Sequence, residues 1–181
     1  MEMRMMQPDR ELPDVEAELA ALCVVVCPKR KSRLMRVLAF FLGALFSERF
    51  WTTIGPKRIW APTTADLSDL RRYTGVLLHE IEHIKQARRW PVMFQISYLL
   101  LPVPVFFAWF RWYFERKAYL VSLWYFRERC IRPGELGRPC DSNAIVAQEI
   151  DRIVNTLWSN YGWCWPKPWM RRYFLKHIGG V

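Results

Sequence analysis

The amino-acid sequence predicts a mainly α-helical domain of the α+β class, with a short strand or hairpin element at about 50–62 beside a helix that carries two of the chain's three histidines. Three observations point to it. Apolar residues recur at helical spacing through most of the chain. That pattern is interrupted once, where "FWTTIG" (50–55) and "RIWAP" (58–62) place β-branched and aromatic residues around a Gly55-Pro56 turn. Finally, 52% of the 181 residues are hydrophobic and 15% aromatic, ten of them Trp, which excludes a disordered chain and requires a large core or an oily partner. The length suits one domain, with 1–13 as a loose N-terminal segment and 14–181 folded together.

The elements follow in order. Residues 14–26 and 30–47 read as helices, the second apolar over most of its surface. The two β-type runs then form a short hairpin or a pair of edge strands. In "TTADLSDL" (63–70), Thr64, Asp66 and Ser68 can cap a helix that runs to about Arg89, where Trp90-Pro91 stops it. Trp90–Phe110 is 21 residues without a charge, long enough for a membrane span, but Pro91, Pro102 and Pro104 each remove a backbone donor. A helix, a break near 102–104 and a second helix fit it better. Residues 107–130 form a long helix, aromatic on one side and basic on another. Pro133, Gly134, Gly137 and Pro139 make a loop, 141–158 an amphipathic helix, and "YGWCWPKPW" (161–169) an aromatic turn before a short basic tail.

A formal charge of +10 favours an acidic partner, whether nucleic acid, anionic lipid or protein. Only "PKRKSR" (28–33) is a dense basic cluster, and a solvated face explains the scattered remainder equally well. Val37–Phe46 is too short to span a bilayer and suits a buried helix or an interfacial anchor, so peripheral membrane contact stays open. Nucleic-acid binding is not expected, because no helix-turn-helix, finger or RNP-like pattern accompanies the aromatic turn. Five cysteines at 23, 27, 130, 140 and 164 include no CxxC, so reduced thiols are the expectation, although Cys130 and Cys140 could close a loop in an oxidising compartment. The charged, Pro-interrupted opening is unlike a secretory signal, and the expected setting is the cytoplasm or a virion.

The chemistry concentrates in "LLHEIEHIKQ" (77–86). Positions i and i+4 of a helix share a face, so the imidazoles of His79 and His83 can reach one ion at about 2.0–2.1 Å. Glu80, about 100° round the helix, would be no ligand but a general base, taking a proton from water activated at the ion and returning it to a leaving amine. The competing view is a surface helix with two unrelated histidines, and a third ligand decides between them. The HExxHxxGxxH continuation is missing, since Gln86 and Arg89 occupy those places. Glu115, 32 residues past His83 on the helix after the proline break, can complete a His2Glu zinc set if the two helices are antiparallel. If His83 and Glu115 share one ion, they cannot lie on opposite sides of a bilayer core about 30 Å thick, so the metal site and a single crossing by the apolar stretch exclude each other.

"HEIEHIKQ", a Pro-broken apolar stretch and "FERKAYL" together resemble the small gluzincin-type HExxH zinc metallopeptidases, and look closest to short zincin-like proteins of bacteria and phages with an "ExxAY" helix and a "YGWxWP" turn. The resemblance covers roughly 50–175. It implies a helical zincin-like domain with His79, His83 and Glu115 on Zn2+, Glu80 as the catalytic carboxylate, and strand structure at 50–62 where an extended peptide or protein substrate could add itself. Gln86, Tyr119, Tyr161 and His177 are candidates to orient a ligand or stabilise an oxyanion, each equally open to ordinary packing or a surface position; Ala118 would let the helices approach. The expected function is zinc-dependent peptide-bond hydrolysis. The alternatives are a catalytically silent scaffold in an assembly such as a phage particle, and a membrane-associated protein inserting 37–46 and 90–110.

Overall fold

The computed structural model describes residues 13–99, 107–131, 142–161 and 166–178. The loose segment, apart from Pro13, lies outside these residues. So do the 102–104 break, the Pro/Gly loop, the middle of the aromatic turn, Cys140 and Cys164. Eight α-helices and a three-stranded sheet make up the described fold, which is mainly helical with a small strand element, as the sequence predicts.

Helix α1 is Val15–Ala21, capped by Asp14, whose carboxylate accepts from the Glu16 amide at 3.0 Å. The expected 14–26 helix ends early. Cys23 takes a left-handed φ of 49°, and Val25–Pro28 become β1, since the β-branched run Val24–Val26 favours the pleated conformation. The expected 30–47 helix is likewise divided. A 3-10 turn at Lys29–Lys31 leads into α2, Arg33–Leu42, which Ser32 caps; Gly43, at φ 83°, then turns the chain into α3, Ala44–Glu48.

Strands β2, Thr52–Thr53, and β3, Arg58–Ala61, form the expected antiparallel hairpin. Only β2 is an edge on this side. The sheet order is β1-β3-β2, with β1 parallel to β3, so β3 is central rather than an edge strand. The candidate caps Thr64, Asp66 and Ser68 bond elsewhere: Thr64 to the Glu48 carbonyl, Asp66 to Ser68. Asp69 instead caps a 3-10 turn at Leu70–Tyr73, and α4, Thr74–Arg89, follows directly.

Next come α5, Pro91–Leu99; α6, Phe107–Ile131; α7, Ser142–Tyr161; and α8, Lys167–His177. The last replaces the expected basic tail, because Met170, Phe174 and Ile178 recur at helical spacing and bury against α6 and α7. None of the described helices is long and apolar enough to cross a membrane.

Helix α4 runs through the middle. Its Leu77, Ile81 and Ile84 pack with Val15 and Leu19 of α1 and Ile59 of β3. Its other side meets α6, whose far face is buried in turn against α7 and α8 through Leu123, Ile150, Ile153 and Phe174.

Candidate metal centre

The α4–α6 contact positions the histidines. Ser122 of α6 donates to the Gly75 carbonyl at 2.9 Å, while Gln86, eleven residues further along α4, donates to the Phe114 carbonyl at 3.0 Å. The reversed order makes the helices antiparallel and lays Glu115 opposite His79 and His83. Close approach depends on small residues. Ala118 is fully buried, and a Cβ at Gly75 would lie 3.3 Å from the Tyr125 ring.

The Nε2 atoms of His79 and His83 are 3.1 Å apart, and Glu115 Oε2 lies 3.4 Å from the first and 3.6 Å from the second. These three residues form a cluster of possible metal ligands. A tetrahedral ion with ligands at about 2.0–2.1 Å has edges of about 3.3–3.4 Å, so the donor triangle already has the size of one face of a zinc site. Three protein donors of the His2Glu type leave a fourth direction for a water or a substrate oxygen. The side chains of His83 and Glu115 are 5% and 4% exposed against 13% for His79, so approach to the triangle is over His79.

The hydrogen bonds around His83 fix which nitrogen faces the triangle. Gln86 spends its NH2 on the Phe114 carbonyl, which turns its Oε1 to His83 Nδ1 at 2.9 Å. An oxygen can only accept, so Nδ1 carries the proton and the neutral ring presents the Nε2 lone pair to the other donors. This is the arrangement a cation would use.

Without one, a proton takes that place: burial pulls the His83 pKa down, but the Glu115 carboxylate outweighs it and, with Glu80 and Gln86, raises it to about 9. Burial pushes the other way on Glu115, yet charge and hydrogen bonds from His83 and His79 hold its carboxyl well below its usual range.

Aromatic rings wall the cluster. Tyr119 meets His79 edge-on at 4.6 Å, and Phe94 lies 5.6 Å from the His83 ring and 5.3 Å from Phe114. Glu80 is buried but stands outside the triangle, turned to the sheet, where its Oε2 accepts from the Thr53 hydroxyl at 2.6 Å. Behind it lies Lys29, 2% exposed, which donates to the Phe46 and Phe50 carbonyls at 2.5 and 2.6 Å. Burial lowers the Lys29 pKa to about 8, against a raising pull from Glu80.

The structure therefore brings His79, His83 and Glu115 together, with Gln86 behind His83 and Tyr119 against His79. The Tyr161 side chain lies outside the described residues. His177 is exposed on α8, where its Nδ1 donates to the Tyr173 carbonyl at 2.7 Å; it is not in the cluster. Thr53, Lys29 and the wall residues Phe94 and Phe114 are additions. Thr53 had a signal once the hairpin register is known, because it pairs with Ile59, whose buried side chain faces α4. Lys29 had none, being one cation within a basic run.

Comparison with known proteins adds no family: no protein-family model, curated protein or solved structure matches this chain.

Proposed function

We propose that the chain is a zinc-dependent, zincin-like hydrolase that cleaves peptide bonds. One observation carries the reading: three clustered donors, the buried His83 and Glu115 and the partly exposed His79, at the separations of one face of a tetrahedral zinc site, with the buried Glu80 next to His79 on the same helix. Zinc held by His79, His83 and Glu115 would supply Lewis acidity and make water a nucleophile at neutral pH.

The chain's own groups do the rest. Glu80 accepts the proton of the attacking water and delivers it to the leaving amine, while Thr53 keeps one carboxylate oxygen occupied and the side chain in a single orientation. Gln86 holds the His83 ring and its tautomer. Strand β2 is an edge that reaches α4 through Thr53, so an extended peptide pairing along it would lie beside Glu80. With only two residues, β2 supplies few backbone bonds, and most substrate affinity must come from side-chain contacts.

Metal analysis and turnover test the proposal together. The purified chain should hold one zinc, the His79→Ala/His83→Ala double variant none, and Glu80→Gln should keep zinc while losing hydrolysis of a peptide library. Absence of stoichiometric zinc, or zinc undiminished in the double variant, rejects the metal site. Zinc bound without turnover in the wild type rejects the enzyme and favours a scaffold within a larger assembly.

A further inference from the structure

We propose that α2, together with the basic run preceding it, docks the protein on an anionic lipid surface, the helix lying in the plane of the headgroups. The inference does not rest on the metal site.

Its basis is the exposure of α2. Leu34 and Val37 are each 53% exposed, Phe41 76% and Phe40 83%, while Met35 is buried. At 100° per residue, Val37, Phe41 and Leu34 fall within an arc of about 60°, centred about 130° round the helix from Met35, which faces the protein. Phe40 sits between Arg33 and Arg36 on the adjoining arc, so an apolar stripe is bordered by cations along one side. Such a helix satisfies only part of its apolar surface by folding.

Charge identifies the occupant. Arg30, Lys31, Arg33 and Arg36 are exposed, and none is ion-paired among the described residues. From Leu19 to Ser47 the sequence holds no Asp or Glu. A second copy seated on this stripe would bring two sets of unpaired cations together. Acidic headgroups neutralise those cations, and acyl chains conform to the exposed row of Leu34, Val37, Phe40 and Phe41. Ten residues give α2 a length of about 15 Å, too short to span the bilayer and suited to lying at its interface. The unit is firmly based. Lys29, at the foot of α2, bonds the carbonyls of Phe46 and Phe50 and covers the Phe46 ring at 3.8 Å, tying α2 and α3 to the strand that follows.

Flotation of the full chain with phosphatidylcholine vesicles, with and without phosphatidylserine, tests this. The wild type should float with the phosphatidylserine vesicles and stay down with phosphatidylcholine alone, and added salt should weaken capture. Phe40→Ser/Phe41→Ser and Arg33→Glu/Arg36→Glu should each reduce binding at least about tenfold with an unchanged unfolding midpoint, since all four side chains are exposed. Light scattering should report a monomer for every form.

The proposal is overturned if the wild type does not float, if either double variant floats undiminished, or if neutral vesicles capture the protein equally. It is also overturned if the phenylalanine variant loses stability, which would mean that the chain itself covers the stripe, or if it dissociates a wild-type dimer, which would make a second copy the occupant. Flotation unchanged by a chelator would confirm independence from the metal reading, whatever the outcome of the zinc analysis.

Discussion

Helix α6 is buried on two sides by opposite means. Toward α7 and α8 it presents Leu123 and Leu120 to Ile150, Ile153 and Phe174, an apolar seam bordered by Arg127, which donates to the Ile178 carbonyl, and by Arg116 over the Tyr173 ring. Toward α4 it presents Glu115, facing His79, His83 and Gln86, where leucines would fill the space with no desolvation to offset. A buried ion pair roughly breaks even against an apolar pair of similar size. The difference teaches that the apolar seam is held by burial alone, whereas the polar seam adds hydrogen bonds between α4 and α6 and sets out the donors that the proposed zinc would use.

Splitting the polar seam should have the largest effect. Glu115→Ala removes a proposed zinc ligand and leaves His83 buried without its carboxylate, so zinc binding should be lost and the metal-free protein destabilised by about 3–5 kcal/mol in urea unfolding. Replacing both members at once, as His83→Leu/Glu115→Met, should also abolish zinc binding but leave the metal-free protein as stable as the wild type or more so. A double variant as unstable as Glu115→Ala would show that the pair is structural, and would break the comparison.

The apolar seam gives the mirror result. Phe174 is fully buried between α6 and α7, and Phe174→Ala should cost about 3–5 kcal/mol through lost burial and the cavity left behind. Zinc affinity, measured by competition with a chromogenic chelator, should stay within about twofold, since the cavity opens on the far side of α6. A large loss of affinity would mean that the two seams are coupled.

Titration separates the seams more finely. The His83 pKa is raised to about 9 from 6.5, so its contribution to metal-free stability is fully present below 6.5 and is lost as pH rises through 9. Glu115 is held below 4.5, so its contribution is present above 4.5 and is lost as pH falls through the depressed value. The seam is strongest between about 4.5 and 6.5. Lys29 acts in the other direction: its pKa falls from 10.5 to about 8, so the cost of burying its charge is relieved as pH rises from 8. Unfolding midpoints across pH should therefore decline from 6.5 toward 9, and a Lys29→Met variant should extend that decline. Zinc must displace the His83 proton, so its affinity should rise over the same interval. A flat affinity would place the proton elsewhere.

What was legible in the sequence divides along the same line. The His79/His83 pair is a local spacing, and Glu115 follows from two helices folding back across an apolar connection, so the polar seam could be read before any coordinates. The β2–β3 hairpin was legible too, from its β-type runs around Gly55-Pro56, but the third strand was not. Val25 and Val26 follow good helix formers, and their β-branched preference is realised as a strand because β3, more than thirty residues away, offers a parallel partner. Lys29 looks like its solvated neighbours because burial is decided by the carbonyls of Phe46 and Phe50. Helix α8 did carry a signal, at 170, 174 and 178, but the Trp and Pro run before it reads as a terminating turn.

The smallest expected effect lies where the two kinds of surface meet, on the sheet side of α4. Thr53 shares a face with the apolar Ile59, yet its hydroxyl serves Glu80. Thr53→Val keeps the shape and removes the donor, costing about 1 kcal/mol of stability and leaving His79, His83 and Glu115 untouched. If Glu80 transfers the proton, a carboxylate no longer held in one orientation should lower kcat about tenfold with KM and zinc content unchanged, and Thr53→Ser should restore the rate. A raised KM with kcat intact would assign Thr53 to the substrate strand instead. Equal loss in the Val and Ser variants would point to the methyl group and hence to packing against Ile59. An inactive wild type that binds zinc would leave only the stability term to measure, and that term alone reports whether the bond to Glu80 is made.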